Sequence, residues 1–203
     1  AALQDAGHEV HGLVHKSVVS GKVPGVSALH VADLSDAAGL AAVVNEVQPD
    51  KVAHLAAIAF VAHGDIESIY RTNLVGTRHL LEALAQSNAP LDAVLLASSA
   101  NVYGNSVGGV LDENTPPAPA NDYAVSKLAM EYAARLYAGR LPLIMARPFN
   151  YTGVGQAESF LIPKIVNHVR RRAPLIELGN LDVARDFSDV RNVVQLYRRL
   201  LEV

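Results

Sequence analysis

A doubly wound α/β fold built on a parallel sheet is the architecture this sequence predicts, on three observations. Short β-rich runs at residues 9–14, 28–31, 51–55, 93–97 and 143–147 alternate with longer helical patterns, as in parallel β/α units. Gly or Pro stands near several of the junctions, where strands hand over to helices. At 203 residues and 50% hydrophobic composition, the chain can bury one large core, so a single domain over residues 1–203 is expected.

Taken in order, residues 1–6 read as the tail of a helix, with no strand before them. In a doubly wound fold the first strand lies centrally, and its turn into the first helix carries glycines that let a pyrophosphate approach the backbone. Gly7 and Gly12 have the wrong spacing and precede the wrong strand, so they are read as turn and packing residues. The run 9–14 is therefore the second strand of the pattern, and the sequence is expected to start late. Apolar runs at 28–31, 51–55, 93–97 and 143–147 read as buried strands. Helices are expected over 37–47, 66–87, 123–138, 160–172 and 189–203, and loops over 17–24 and the Pro-rich stretch 114–120. A small C-terminal domain is expected beyond the last helix.

Composition excludes several classes of function. The chain has no cysteine, which rules out a disulfide framework and a thiolate nucleophile, and its eight histidines show no paired-ligand spacing, so no metal is expected. A net charge of −3 lacks the basic surplus of a duplex-binding surface, and Arg170, Arg171 and Arg172 read as a solvated helix end, so no nucleic acid is expected. No apolar stretch is long enough to cross a bilayer, and the first residues lack a signal peptide's pattern. Cytoplasm is the expected location.

Two motifs carry chemistry. In Tyr123-Ala124-Val125-Ser126-Lys127 a phenol and an ammonium stand four apart at the start of a helical pattern, on one face. An adjacent cation favours the phenolate, so Tyr123 is expected to titrate below the ordinary value and to exchange a proton with a substrate oxygen. An ordinary amphipathic helix start is the alternative. In Leu95-Leu96-Ala97-Ser98-Ser99-Ala100-Asn101-Val102-Tyr103-Gly104 an apolar strand runs into small hydroxyl residues at its carboxyl end, where ligands of open α/β sheets sit. Ser99 is assigned to hydrogen-bond the oxygen that Tyr123 protonates, and Ser98 to stabilise the turn.

SSANVYG followed by YAVSK resembles the extended short-chain dehydrogenase/reductase family of nucleotide-sugar epimerases, dehydratases and reductases. Further segments agree: His54-Leu55-Ala56-Ala57 resembles the family's fourth-strand motif beside the cofactor, Asn73-Leu74-Val75-Gly76-Thr77 its next helix, and Arg147-Pro148-Phe149-Asn150 its sixth-strand exit. The resemblance spans nearly the whole chain. It implies a Rossmann-type sheet lacking its first strand and the small substrate domain, with Ser99, Tyr123 and Lys127 catalytic. It further implies that Asp33 and Leu34, Leu55, Ala56, Ala57, Asn73, Tyr123 and Lys127 meet a dinucleotide. Asn150 would meet the substrate's diphosphate region. A helix N-cap is the other reading of Asp33, and a turn residue that of Asn150.

The acidic residue that usually ends the second strand and holds the ribose 2′-hydroxyl is replaced by Val14, followed by His15 and Lys16. An uncharged end followed by basic groups tolerates a 2′-phosphate, so NADP(H) is preferred over NAD(H). His15 and Lys16 equally suit a solvated loop. Gly179 to Phe187, with Arg147-Pro148-Phe149-Asn150 and Gly153-Val154-Gly155-Gln156, is similar to GDP-mannose dehydratases and GDP-6-deoxy-4-keto-mannose reductases. Residues 150–190 are thus expected to contribute to a GDP-sugar site, with Arg185 on the diphosphate, unless it pairs with Asp182 or Asp186.

A 4,6-dehydratase needs further proton-transfer groups, and its family usually places acidic residues after the catalytic hydroxyl. Here Ala100 and Asn101 stand there, and an amide does no acid–base work at neutral pH. Reduction of a GDP-4-keto-6-deoxy sugar is therefore the expected reaction, with a C4 epimerase or 4,6-dehydratase as alternatives and a non-catalytic dinucleotide-binding regulator as a rival class. Asp122 before the tyrosine, where relatives commonly carry proline, and Asn192 after the Arg185-Asp186-Phe187 segment depart from the family pattern. In this family the helices near 66–87 and 123–138 often pair into a four-helix dimer interface, so a homodimer is expected, with ordinary core packing as the other reading of their small and apolar residues.

Overall fold

A computed structural model of the chain describes residues 1–15, 23–59, 65–105, 109–182 and 184–203. The elements run α1 (Ala2–Asp5), β1 (His11–Val14), β2 (Ala28–Val31), α2 (Ala37–Val47), β3 (Lys51–His54), α3 (Ile66–Tyr70), a π-helical turn (Arg71–Gly76) and α4 (Thr77–Gln86). Then follow β4 (Ala93–Ala97), a 3-10 turn (Ala100–Tyr103), α5 (Asp122–Arg135), β5 (Leu143–Ala146), β6 (Asn150–Thr152), α6 (Leu161–Arg170), β7 (Phe187–Asp189) and α7 (Val190–Leu201). All strand pairings are parallel: β1 with β2, β3 with β4 and β4 with β5, and β6 with β7. The predicted α/β architecture is the one observed, although among the described residues the strands form three hydrogen-bonded groups rather than one sheet.

The centre of the core is β4, whose Ala93, Val94, Leu95 and Leu96 are all buried. Val94 and Leu96 face one cluster with Leu40 and Val44 of α2, Leu80, Leu81 and Leu84 of α4 and Met130 and Ala134 of α5. Ala93 and Leu95 face the other, with Leu201 of α7 and, at its edge, Leu3 of α1 and Tyr197. A strand covered on both faces reads as an unbroken apolar run rather than an alternation. Strands β1 and β2 correct the expectation of burial: Leu13, Leu29 and Val31 remain 40%, 37% and 53% exposed, and among the described residues neither strand contributes a side chain to the two packed clusters.

The predicted helix over 66–87 is continuous but carries a π turn at its centre, and π turns cluster at functional sites. Asn73 lies in that turn. The Pro-rich stretch ends against the 3-10 turn: Ala118 N donates to Val102 O at 2.9 Å, and Gly104 has a φ of +67° with a Cβ position 1.8 Å from Ala118 O. Only glycine fits there. Residues 17–22 of the predicted first loop lie outside the described residues.

Candidate active site

Helix α5 starts where Asn121 caps it, its side-chain oxygen accepting from Ala124 N at 2.9 Å, which directs the first turn at the carboxyl end of β4. Asp122, on the same turn, accepts from the Tyr70 hydroxyl at 2.9 Å and so ties α5 to α3. The Ser99 hydroxyl neighbours the Tyr123 phenol closely enough to favour its phenolate. One turn on, Lys127 is 4% exposed and its Nζ donates to Ala97 O at 2.7 Å. The structure thus brings the three predicted catalytic side chains together on adjacent residues of one strand end and one helix face. Ser99 is held by its own turn, its Oγ accepting from Asn101 N at 3.2 Å.

The electrostatics correct one expectation. Tyr123's pKa is raised, not lowered, because burial penalises the phenolate; the hydrogen bond from Ser99 offsets this in part, and the nearby Tyr151 adds to it. Lys127 does not supply the predicted relief. Its own burial lowers its pKa to about 8, and its ammonium is directed at the Ala97 carbonyl rather than at the phenol.

Residues assigned to a dinucleotide fall into three sets. At the ends of β1 and β2, His15 Nε2 lies 2.7 Å from Asp33 Oδ2, so two predicted residues meet on one exposed edge. Asp33 is not the cap of α2, a task taken by Asp36, which accepts from Gly39 N. Instead it accepts from Ser35 N at 2.8 Å and Ser35 Oγ at 2.9 Å, and these bonds, with the His15 contact, lower its pKa. Leu34 turns its carbonyl to His79 Nδ1 at 3.0 Å and its side chain to the core. Leu55 and Ala56, directly after β3, are exposed and Ala57 is half-buried, an arrangement open to a ligand. Lys16 lies outside the described residues.

Asn73 has a different task from the one predicted. It is fully buried; its Oδ1 accepts from Ile58 N at 2.8 Å and its Nδ2 donates to Ile58 O at 3.0 Å and Ser126 Oγ at 3.0 Å. Both amide protons are in use, so Asn73 positions the chain after β3 against α5 rather than touching a ligand. Two of the predicted substrate residues stand at the β6–β7 pair, Asn150 on β6 and Arg185 two residues before β7. Asn150 opens β6, exposed, and donates through Nδ2 to Asp186 O at 3.2 Å. Arg185 is exposed, and among the described residues it forms no salt bridge with Asp182 or Asp186.

The model of the NAD dependent epimerase/dehydratase family matches residues 1–203. The chain belongs to this family. It is 34% identical over 180 residues to a GDP-6-deoxy-D-talose 4-dehydrogenase of Aggregatibacter actinomycetemcomitans, covering 89% of this chain and 61% of that protein. It is 38% identical over 164 residues to a GDP-6-deoxy-D-mannose reductase of Pseudomonas aeruginosa, covering 75% and 54%. Among solved structures it is similar to that of RMD from Pseudomonas aeruginosa complexed with NADPH, with a TM-score of 0.79 and 32% identity over 96% of this chain and 73% of that one. It is also similar to MoeE5 in complex with UDP-glucose and NAD, with a TM-score of 0.82 and 29% identity over 100% of this chain and 66% of that one. The chain therefore spans little more than half the length of the curated relatives.

This epimerase/dehydratase-family chain also uses residues that sequence reasoning misses. Glu131, 2% exposed, accepts from Ser98 Oγ at 2.5 Å and from Arg147 Nε at 2.9 Å and Nη2 at 2.6 Å. Arg147 also donates through Nη1 to the Tyr103 hydroxyl at 3.0 Å. Ser98 is thus anchored to a buried ion pair rather than to its own turn. Glu131 continues the four-residue spacing of Tyr123 and Lys127, the one signal that could have found it. His54 is buried beneath Lys127, with Nε2 2.8 Å from Thr77 Oγ1, and burial first, then the Lys127 charge, lowers its pKa to about 4. Thr77 Oγ1 donates to Asn73 O, so His54 is neutral and donates through Nε2.

Proposed function

We propose that the protein containing this chain is an NADP(H)-dependent reductase of a GDP-4-keto-6-deoxy sugar. The observation that carries the reading is the Ser99–Tyr123 hydroxyl pair at the carboxyl end of β4 with Lys127 one turn behind. A bound nicotinamide dinucleotide would supply the hydride. Its residues would be the exposed His15–Asp33 edge, the open backbone of Leu55 and Ala56, and Lys127 and Tyr123, a set that fits a dinucleotide because it runs along the strand ends.

Tyr123 hands its proton to the C4 oxygen as the carbonyl becomes an alkoxide, and Ser99 donates a second hydrogen bond to the same oxygen. With a pKa of about 8, Lys127 is largely charged at neutral pH and favours the phenolate left behind, provided its ammonium turns from Ala97 O towards a hydroxyl of the dinucleotide. Arg185 offers a forked cation without a salt-bridge partner among the described residues, suited to a diphosphate beside Asn150. Reduction is favoured over 4,6-dehydration by the 3-10 turn after Ser99, which holds Ala100 and Asn101 where dehydration would need titratable groups. The GDP-linked substrates named for the two curated relatives support the choice of sugar nucleotide.

NADP(H) over NAD(H) rests on the uncharged end of β1 at Val14 and on His15; His15→Ala in the full-length protein should cost about fivefold in NADPH affinity with NADH affinity held. A homodimer through α3 to α5 is supported by half-exposed Ile66, Val75, Val125 and Tyr132 along this stretch. The deciding experiment supplies full-length protein with a GDP-4-keto-6-deoxy sugar and NADPH. Net NADPH consumption, abolished by Tyr123→Phe with dinucleotide affinity retained, is the expected result. Interconversion of C4 epimers without net consumption would replace reduction by epimerisation.

A further inference from the structure

Three consecutive residues at the exit of β4 each meet a side chain of α5. Lys127 donates to the carbonyl of Ala97, Glu131 accepts from the hydroxyl of Ser98, and the Tyr123 phenol neighbours the hydroxyl of Ser99. The three helix residues lie at i, i+4 and i+8, on one face. The Glu131 grip is itself anchored elsewhere, through the two-pronged ion pair to Arg147 just past β5. Arg147 in turn reaches the 3-10 turn that follows Ser99, donating to Tyr103 and lying over its ring at 5.1 Å. The strand exit is also held from the β5 side, where Ser98 N donates to Ala146 O at 2.8 Å and Ala100 N to Pro148 O at 2.9 Å.

We propose that Glu131, with Arg147 and Ser98, is a positioning unit that fixes the Ser99 hydroxyl on Tyr123 and so prepares the proton-transfer pair. The unit touches neither substrate nor dinucleotide; it acts through Ser98 on its neighbour. A buried ion pair contributes little net stability when compared with apolar residues of the same shape, and its retention is better accounted for by the geometry it specifies. Both carboxylate oxygens of Glu131 are in use, and Oε1 is shared between Ser98 and Arg147. The serine hydroxyl therefore has one rotamer that satisfies it, and the adjacent peptide is set with it.

The inference rests on Tyr123 as the proton donor, so the test reads Tyr123 directly and not through turnover. A difluorotyrosine at position 123 titrates near neutral pH, and its midpoint reports whether the Ser99 hydrogen bond is in place. Glu131→Gln and, separately, Ser98→Ala should each raise that midpoint by up to about one pH unit, the value of one lost hydrogen bond to a charged oxygen. Ser98→Ala leaves the Glu131–Arg147 charges paired and keeps the test intact should Glu131→Gln fail to fold. In a Ser99→Ala background neither change should move the midpoint further. A midpoint unmoved by Ser98→Ala in a folded protein, or a shift that persists without the Ser99 hydroxyl, overturns the proposal. Loss of the proton-donor role itself would appear instead as unchanged turnover in Tyr123→Phe.

Discussion

Replacing Asn73 by Ala tests the organisation of the site at its least exposed point. The substitution removes three hydrogen bonds at once and leaves Ile58 N, Ile58 O and Ser126 Oγ without the partner they have at 2.8, 3.0 and 3.0 Å. Ser126 retains its donation to Tyr123 O at 2.7 Å, so the uncompensated cost falls on the Ile58 peptide. At about 1 kcal/mol for each net bond the loss is about 3 kcal/mol, with the stranded Ile58 groups pushing it upward. For a domain of this size that corresponds to a fall in Tm of about 6–12 °C. The global effect is read by denaturant unfolding, and the local one by hydrogen exchange of the peptide spanning residues 55–59, which should lose protection while β4 keeps it. A loss below about 1 kcal/mol with Ile58 protection unchanged would show that α5 and β3 hold that segment without Asn73, and the positioning role would be refuted.

Three further outcomes follow from the same structure. His54 is held neutral with a pKa of about 4 against 6.5 unfolded, so between these values the unfolded chain binds the extra proton and stability falls as pH drops; the loss is up to roughly 3 kcal/mol, and His54→Gln should flatten that part of the stability–pH curve. Gly104→Ala places a Cβ against Ala118 O at a φ of +67° and should cost more than about 2 kcal/mol in denaturant midpoint; a neutral result would mean the 114–120 stretch shifts freely. Leu81→Ala, at a position with no exposure between α2, β4 and α5, should cost about 3 kcal/mol by the same measurement, and a loss under about 1 kcal/mol would place Leu81 outside the core.

The parallel α/β order was legible because β4 is covered on both sides, and an unbroken Ala-Val-Leu-Leu-Ala run leaves no polar face to turn towards water. Tyr123, Lys127 and Ser99 were legible because helical spacing and strand-end placement are local properties. The β6–β7 pair was not: each strand has three residues, and Asn150 meets Phe187 only through the fold. The expected depression of Tyr123's pKa fails for a related reason. Spacing places Lys127 on the same face but says nothing of the Ala97 carbonyl that engages its ammonium, nor of the burial that dominates both groups. Arg147 reads only as part of a strand-exit motif and Glu131 carries no reading at all, since a buried ion pair between α5 and the chain after β5 leaves no periodic trace.

The β6–β7 ladder has an evolutionary corollary. Its parallel register seats Thr152 opposite Asp189, and Gly153 comes so near Val190 that a Cβ would lie 2.4 Å from Cγ1. The chain before residue 153 and the chain after residue 186 are thus stitched side by side. The insertion between them can be lengthened, shortened or exchanged between homologues while the β3–β4–β5 sheet and α5 stay put, because its two ends are held by one short ladder.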